Sequence, residues 1–216
     1  MMNTMPSNEG KRSYHSPIRL RQAEETRQLI LSAARRLFAS SGYACTTLEA
    51  IAEAAGVSPK TVSAVIGSKR AMLAELVNPD AFSTHVQRLL EQLRSAEQPQ
   101  QRMSLVDQIT RQVYESLVSE FELLRTTSGV APELAELARQ VEARRRQNQT
   151  RLIAYLDERR LLRHGLSFEE AVDVLWTLTS YDLYRMLVVE RRWDSDHYES
   201  WLAKLLIQNL LESADV

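Results

Sequence analysis

With 216 residues, 44% of them hydrophobic and 25% charged, the chain can bury a sizeable core and has neither a disordered nor a fibrous composition. No apolar run approaches the roughly 20 residues of a membrane span, the opening MMNTMPSNEGKRSYHSP lacks the apolar stretch of a secretory leader, and a single cysteine, Cys45, excludes an internal disulfide. A cytoplasmic protein with no membrane partner is expected. The net charge of −1 hides an asymmetry: residues 1–70 carry ten Lys and Arg against five Asp and Glu, or +5, and the remainder carry 17 against 23, or −6. A basic head on an acidic body suits a protein whose head meets nucleic acid.

Residues 1–20, polar and holding Pro6, Gly10 and Pro17, are expected to form a flexible basic arm. From about Gln22 the pattern is helical, with Ile30, Ala33, Ala34, Leu37 and Phe38 on one stripe, and Gly42 is placed to cap it. TTLEAIAEAAG opens a second helix, capped by Thr46 with Glu49 or equally by Thr47, and Gly56 stops it. Ser58 then caps a third helix with Pro59 at its first position. That helix runs only to about Ile66, and after Gly67 a fourth helix begins at the Ser68 cap, with Pro79 as a break.

The remainder is also helical. One stripe holds Val106, Ile109, Val113, Leu117, Phe121 and Leu124, and another runs from Leu134 to Leu156. RHGLSFEE marks a boundary, with Gly165 as C-cap and a Ser167–Glu170 capping box before a helix carrying Val174, Leu175, Leu178 and Tyr181. A last helix carries Tyr198, Trp201, Leu202, Leu205, Leu206 and Leu210. No strand pattern is present, so the class is all-α.

AGVSPKTVSAVIGSK, residues 55–69, joins two short helices through a tight turn. Its second helix carries small polar residues where a core helix would carry leucines. That describes a helix-turn-helix, whose second helix enters the DNA major groove. Ser58, Lys60, Thr61 and Ser63 can donate to phosphates or bases, and Lys69 can clamp the backbone. A helical hairpin inside a larger bundle fits the periodicity as well. His15, His85, His164 and His197 lack metal-ligand spacing, and neither a phosphate-binding loop nor a nucleophile elbow is present. No enzyme, metal or cofactor is expected.

Residues 26–76, TRQLILSAARRLFASSGYACTTLEAIAEAAGVSPKTVSAVIGSKRAMLAEL, resemble the DNA-binding domain of the TetR family of transcriptional regulators. The matching features are Ala-x-x-Leu-Phe in the first helix, Gly42-Tyr43, Thr46-Thr47, the Ile-Ala-x-x-Ala-Gly-Val-Ser block and Gly67-Ser68-Lys69. The run LYRMLVVERRWDSDHYESWLAKLLIQNLL is similar to the last two helices of one branch of that family. The resemblance implies DNA contacts from Thr47, Ser58, Pro59, Lys60, Thr61, Ser63 and Lys69. Ser63 stands where the family usually has Tyr, and it supplies the hydroxyl without the ring.

The resemblance further implies a three-helix reading domain over residues 21–70 and, over residues 71–216, a helical domain that binds a small-molecule effector and forms a homodimer on a palindromic operator. It implies a ligand-released repressor. An apolar pocket built from Tyr114, Phe121, Trp176, Tyr181 and Tyr184, with Arg111, Asp182 and Arg185 as polar groups, suits an effector, although aromatic residues at helical spacing make an equally good core. Trp201, Leu202, Leu205 and Leu206 suit a four-helix interface with a second copy. The rival readings are a DNA-binding regulator without a small-molecule effector and a helical enzyme or scaffold on the same fold.

Overall fold

The apolar stripe of the first segment makes one long helix, α1 (Pro17–Cys45), which starts ahead of Gln22. Gly42 breaks it with φ 77° and ψ 160°, a conformation only glycine adopts without strain. The computed structural model describes residues 17–78, 83–127 and 131–212. The arm up to residue 16, the Pro79 break and residues 128–130 lie outside them.

α2 (Leu48–Ala55) resolves the choice of cap. The Thr47 hydroxyl accepts the Ala50 amide at 3.1 Å, while Thr46 is buried and donates to the Gly42 carbonyl at 2.8 Å. Gly56 closes the helix in the left-handed region, φ 69° and ψ 29°. α3 (Pro59–Val65) and α4 (Lys69–Leu76) start at the serine caps expected, Ser58 and Ser68. Ile30, Ala34, Phe38, Ile51, Val62, Met72 and Leu73 form their common core. Leu124, Leu134 and Leu137, from two later helices, pack into the same cluster, so the head has no core sealed from the body.

The body comprises α5 (Thr84–Ser95), α6 (Pro99–Thr127), α7 (Pro132–Glu158), α8 (Phe168–Leu178), α9 (Tyr181–Tyr184), a π-helical turn (Arg185–Glu190) and α10 (Ser195–Leu210). The all-α reading holds: among the described residues the only β-type pairing is an isolated bridge between Leu162 and Leu211, where the chain beyond α7 meets the end of α10. Met103, Tyr114, Ile153, Leu156, Leu175, Tyr198, Leu202 and Leu206 lie in a second core. Each such side chain stabilises the fold by roughly 1.5–3 kcal/mol through burial.

Two boundaries differ from expectation. Gly165 does not cap α7: the helix stops at Glu158, Arg160 turns the chain at φ 54°, and Gly165 lies in the loop beyond. The Ser167–Glu170 capping box forms as expected. The helix expected to run through Tyr181 breaks after Leu178. Ser180 caps α9 by accepting the Leu183 amide at 3.3 Å, and the Thr179 hydroxyl donates back to the Leu175 carbonyl at 2.7 Å. Side-chain bonds of this kind compete with the helical ladder.

Candidate DNA-reading head and body site

The caps that shape α2 and α3 also set the reading surface. Ser58 accepts the Thr61 amide at 3.0 Å and pairs with the Thr61 hydroxyl at 2.8 Å. These two hydroxyls are thus partly engaged within the helix start. Val62 is fully buried beneath them, while Ser58, Pro59, Lys60 and Ser63 are exposed and Thr61 is half-buried. The first turn of α3 therefore presents Lys60 to solvent, as a groove-reading helix requires of its side chains. Thr47 is exposed at the start of α2.

Lys69 opens α4, but its ammonium already has a local role. It donates to the Tyr43 carbonyl at 2.7 Å and lies 4.5 Å from the centre of the Tyr43 ring. The contact ties the turn after Gly42 to the start of α4. An ammonium has three donors, which leaves capacity for a phosphate beside Tyr43. The pairing itself was not expected, although Gly42-Tyr43 and Gly67-Ser68-Lys69 were both singled out in the sequence.

In the body, four of the five candidate aromatics meet. Tyr114 and Phe121 of α6 are 5.0 Å apart edge to face, Tyr114 and Tyr181 5.4 Å, Tyr114 and Tyr184 5.5 Å, and Phe121 and Tyr181 5.2 Å. The Tyr114 hydroxyl donates to the Thr179 carbonyl at 2.8 Å, and burial pushes its pKa up. Tyr181 reaches the Val118 carbonyl at 3.3 Å and Glu122 at 3.4 Å; burial, with the Glu122 charge, raises it to about 12. Trp176 is held elsewhere, with its indole N–H on Glu142 and its ring 5.3 Å from the Arg145 guanidinium.

The three polar candidates have ion-pair partners of their own. Arg111 bridges to Asp196 and, at 2.9 Å, to Glu199 of α10. Arg185 pairs with Glu190 and lies 3.8 Å from Asp182, whose side chain is exposed. The aromatic cluster is thus an assembled unit, and the charged residues around it brace neighbouring elements.

α6 links this cluster to the head. Leu117, between Tyr114 and Phe121, departs from helical geometry at φ −127° and ψ 22°. Just beyond the kink the buried Glu120 meets Arg35 of α1 at 2.6 Å, and Leu124 enters the head core. Arg70 of α4 reaches the Glu133 carbonyl of α7 at 3.2 Å. Sequence reasoning missed Glu120, although an acidic residue one position before Phe121 on an apolar stripe was a readable signal.

The expected dimer stripe divides. Leu202 and Leu206 are fully buried in the subunit's own core, so they are not surface residues. Trp201 is half-buried against Trp193 at 5.5 Å. Leu205 is half-exposed and stands outside the packed clusters of the described residues. No helix among the described residues is long and apolar enough to cross a membrane.

A short capped helix borne on a head that shares its core with a helical body has the form of a helix-turn-helix unit on an all-α scaffold. Residues 30–76 match the family model of bacterial regulatory proteins, tetR family. The whole-chain fold is shared with native NalD, the secondary repressor of the MexAB-OprM multidrug efflux pump in Pseudomonas aeruginosa: 23% identity, TM-score 0.69, 90% of this chain and 100% of that one. It is shared with a SmeT–triclosan complex at 21% identity and TM-score 0.70, over 88% and 93% of the two chains. A protein of Saccharomonospora viridis in complex with choline is likewise similar, at 21% identity and TM-score 0.67, over 88% and 99%. Comparison with curated proteins finds no match.

Proposed function

We propose that the chain is a ligand-released repressor that binds a palindromic operator as a homodimer. Thr47, Ser58, Pro59, Lys60, Thr61, Ser63 and Lys69 contact the DNA, with Lys60 and Thr61 at base edges and Lys69 at a phosphate. The effector enters at Tyr114, Phe121, Tyr181 and Tyr184. The observation that carries this reading is the course of α6, which bears Tyr114 and Phe121 and, across the Leu117 kink, presents Glu120 and Leu124 to the head. A molecule that separates the rings shifts the far half of α6 and, through Arg35, the reading helices, so that the two heads no longer match the half-site spacing. The complexes of similar folds with triclosan and choline support a small-molecule effector.

The division of labour follows the sequence reading, with DNA reading over residues 21–70 and effector binding and dimerisation over residues 71–216, and a cytoplasmic location suits the role. The rings contact one another directly at 5.0–5.5 Å, which favours a second reading, a regulator without a small-molecule effector. Thermal-shift screening of small molecules, followed by operator-binding assays on every hit, separates the two. Hits that stabilise the protein and release DNA support the first reading, and no such hit supports the second.

A further inference from the structure

Asp107 of α6 is 2% exposed, on the helix face that also carries Met103, Thr110 and Tyr114. Its carboxylate accepts the amide of its neighbour Gln108 at 2.5 Å, and no Lys, Arg or His among the described residues pairs with it. Arg111, one turn on, is the natural partner by spacing, but its guanidinium reaches Asp196 and Glu199 on α10 and Glu115 on α6. Arg102 lies 3.5 Å from the Tyr155 ring of α7 and donates to the Arg94 carbonyl of α5. The charge that α10 turns toward Asp107 is the like charge of Glu199. A buried carboxylate without a cation is among the costliest groups a core can hold.

A second observation falls at the same joint. Tyr198 of α10 is fully buried, its hydroxyl has no hydrogen-bond partner among the described residues, and burial, with Tyr114, Tyr184 and Asp107 nearby, pushes its pKa up. Its ring lies edge-on to Tyr184 at 5.2 Å, and Tyr184 lies 5.5 Å from Tyr114. A carboxylate that lacks a cation, a hydroxyl that lacks a partner and a run of electron-rich rings therefore occur together where α6 meets α10.

We propose that Asp107 and Tyr198 form the polar end of the effector site, and that the effector is an organic cation whose ammonium group rests against the rings of Tyr114, Tyr184 and Tyr198. The assignment rests on the effector-responsive reading of the body given above. Cations are drawn to the faces of tyrosine rings, most strongly when water is excluded. Burial raises the Asp107 carboxyl to about 8, so the empty site is mostly neutral at neutral pH, and a bound cation expels the proton. Affinity for a permanent cation therefore rises by about tenfold per pH unit up to about 8 and then levels off.

The probes are benzyltrimethylammonium and its neutral carbon isostere, neopentylbenzene. Each is titrated calorimetrically into the full chain and into Asp107→Asn and Tyr198→Phe variants whose folding is checked by circular dichroism, at about pH 6, 7 and 8. The parent should bind the cation at least about tenfold more tightly than the isostere at the highest pH, with the stated pH profile for the cation alone. Asp107→Asn should abolish both the preference and the profile, and Tyr198→Phe should weaken cation binding by a smaller factor. Absent cation binding, equal affinity for both probes, or an unchanged preference in Asp107→Asn overturns the site. If Asp107→Asn does not fold, the parent's pH profile and Tyr198→Phe decide. Operator release is followed on the same samples: a cation that binds without releasing DNA overturns the effector role, whereas release by a neutral compound that Asp107→Asn does not alter overturns the cation site and leaves the effector reading standing.

Discussion

Lys60 and Lys69 are both lysines at helix starts, yet the structure gives them different work. Lys60 is exposed at the tip of α3. Lys60→Ala should leave stability within about 0.5 kcal/mol but relax preference at one symmetric pair of operator positions by about 1–3 kcal/mol, read by selection from random DNA. Lys69 holds Tyr43. Lys69→Ala should lower the salt slope of DNA binding by about one unit and also cost the head about 1 kcal/mol in urea unfolding. An unchanged slope removes Lys69 from the DNA interface. Asp107 gives a third test. Its folded carboxyl is raised to about 8 against an ordinary value near 4, so the folded state holds the proton longer than the unfolded chain. The Asp107 contribution to stability should be greatest below about pH 4 and fall as pH rises toward 8, by at most about 1.4 kcal/mol per unit, and is read as the difference in pH dependence between the parent and Asp107→Asn. At this scale the caps were legible because serine and threonine oxygens act locally. The Lys69–Tyr43 and Arg35–Glu120 pairings were not, because they join residues 26 and 85 positions apart in a register that only packing decides.

Among the elements, α3 was read most nearly as it is, since Ser58-Pro59 bounds it with a strong local signal, and α10 was recognised by its apolar period. The break at Thr179 escaped notice because the apolar period of α8 continues through it to Tyr181, and the local Thr179 and Ser180 bonds that end the helix are reinforced by long-range ones. Tyr114, Arg145 and Gln149 all reach Thr179. The packing of the apolar face of α10 was half legible. Periodicity shows that α10 is apolar on a broad face, but only packing assigns Leu202 and Leu206 inward and leaves Leu205 half-exposed. Leu205→Glu should accordingly yield a folded monomer with weakened operator binding, by sedimentation and circular dichroism; a folded dimer would show that this face does not build the interface. Arg35→Ala leaves the buried Glu120 carboxylate without its partner across the α1–α6 joint. With Arg35 itself partly solvated, the expected loss is about 1–2 kcal/mol in urea unfolding, together with weaker coupling between effector and operator affinities.

For the whole molecule, the charge asymmetry acquires a location. The +5 belongs to the segment that bears the exposed Lys60 on the first turn of α3, while the −6 belongs to residues 71–216. In the proposed function, an acidic body keeps DNA to the head, and a single head would contact too few phosphates and bases to hold an operator tightly, so the proposal calls for two symmetric copies. The measurement that tests this most directly is selection of random double-stranded DNA by the full chain, with affinity for the selected sequence followed against salt. The account predicts a consensus of two inverted half-sites, with binding that weakens linearly in the logarithm of salt concentration. A consensus without two-fold symmetry, or no enrichment over random DNA, would contradict it.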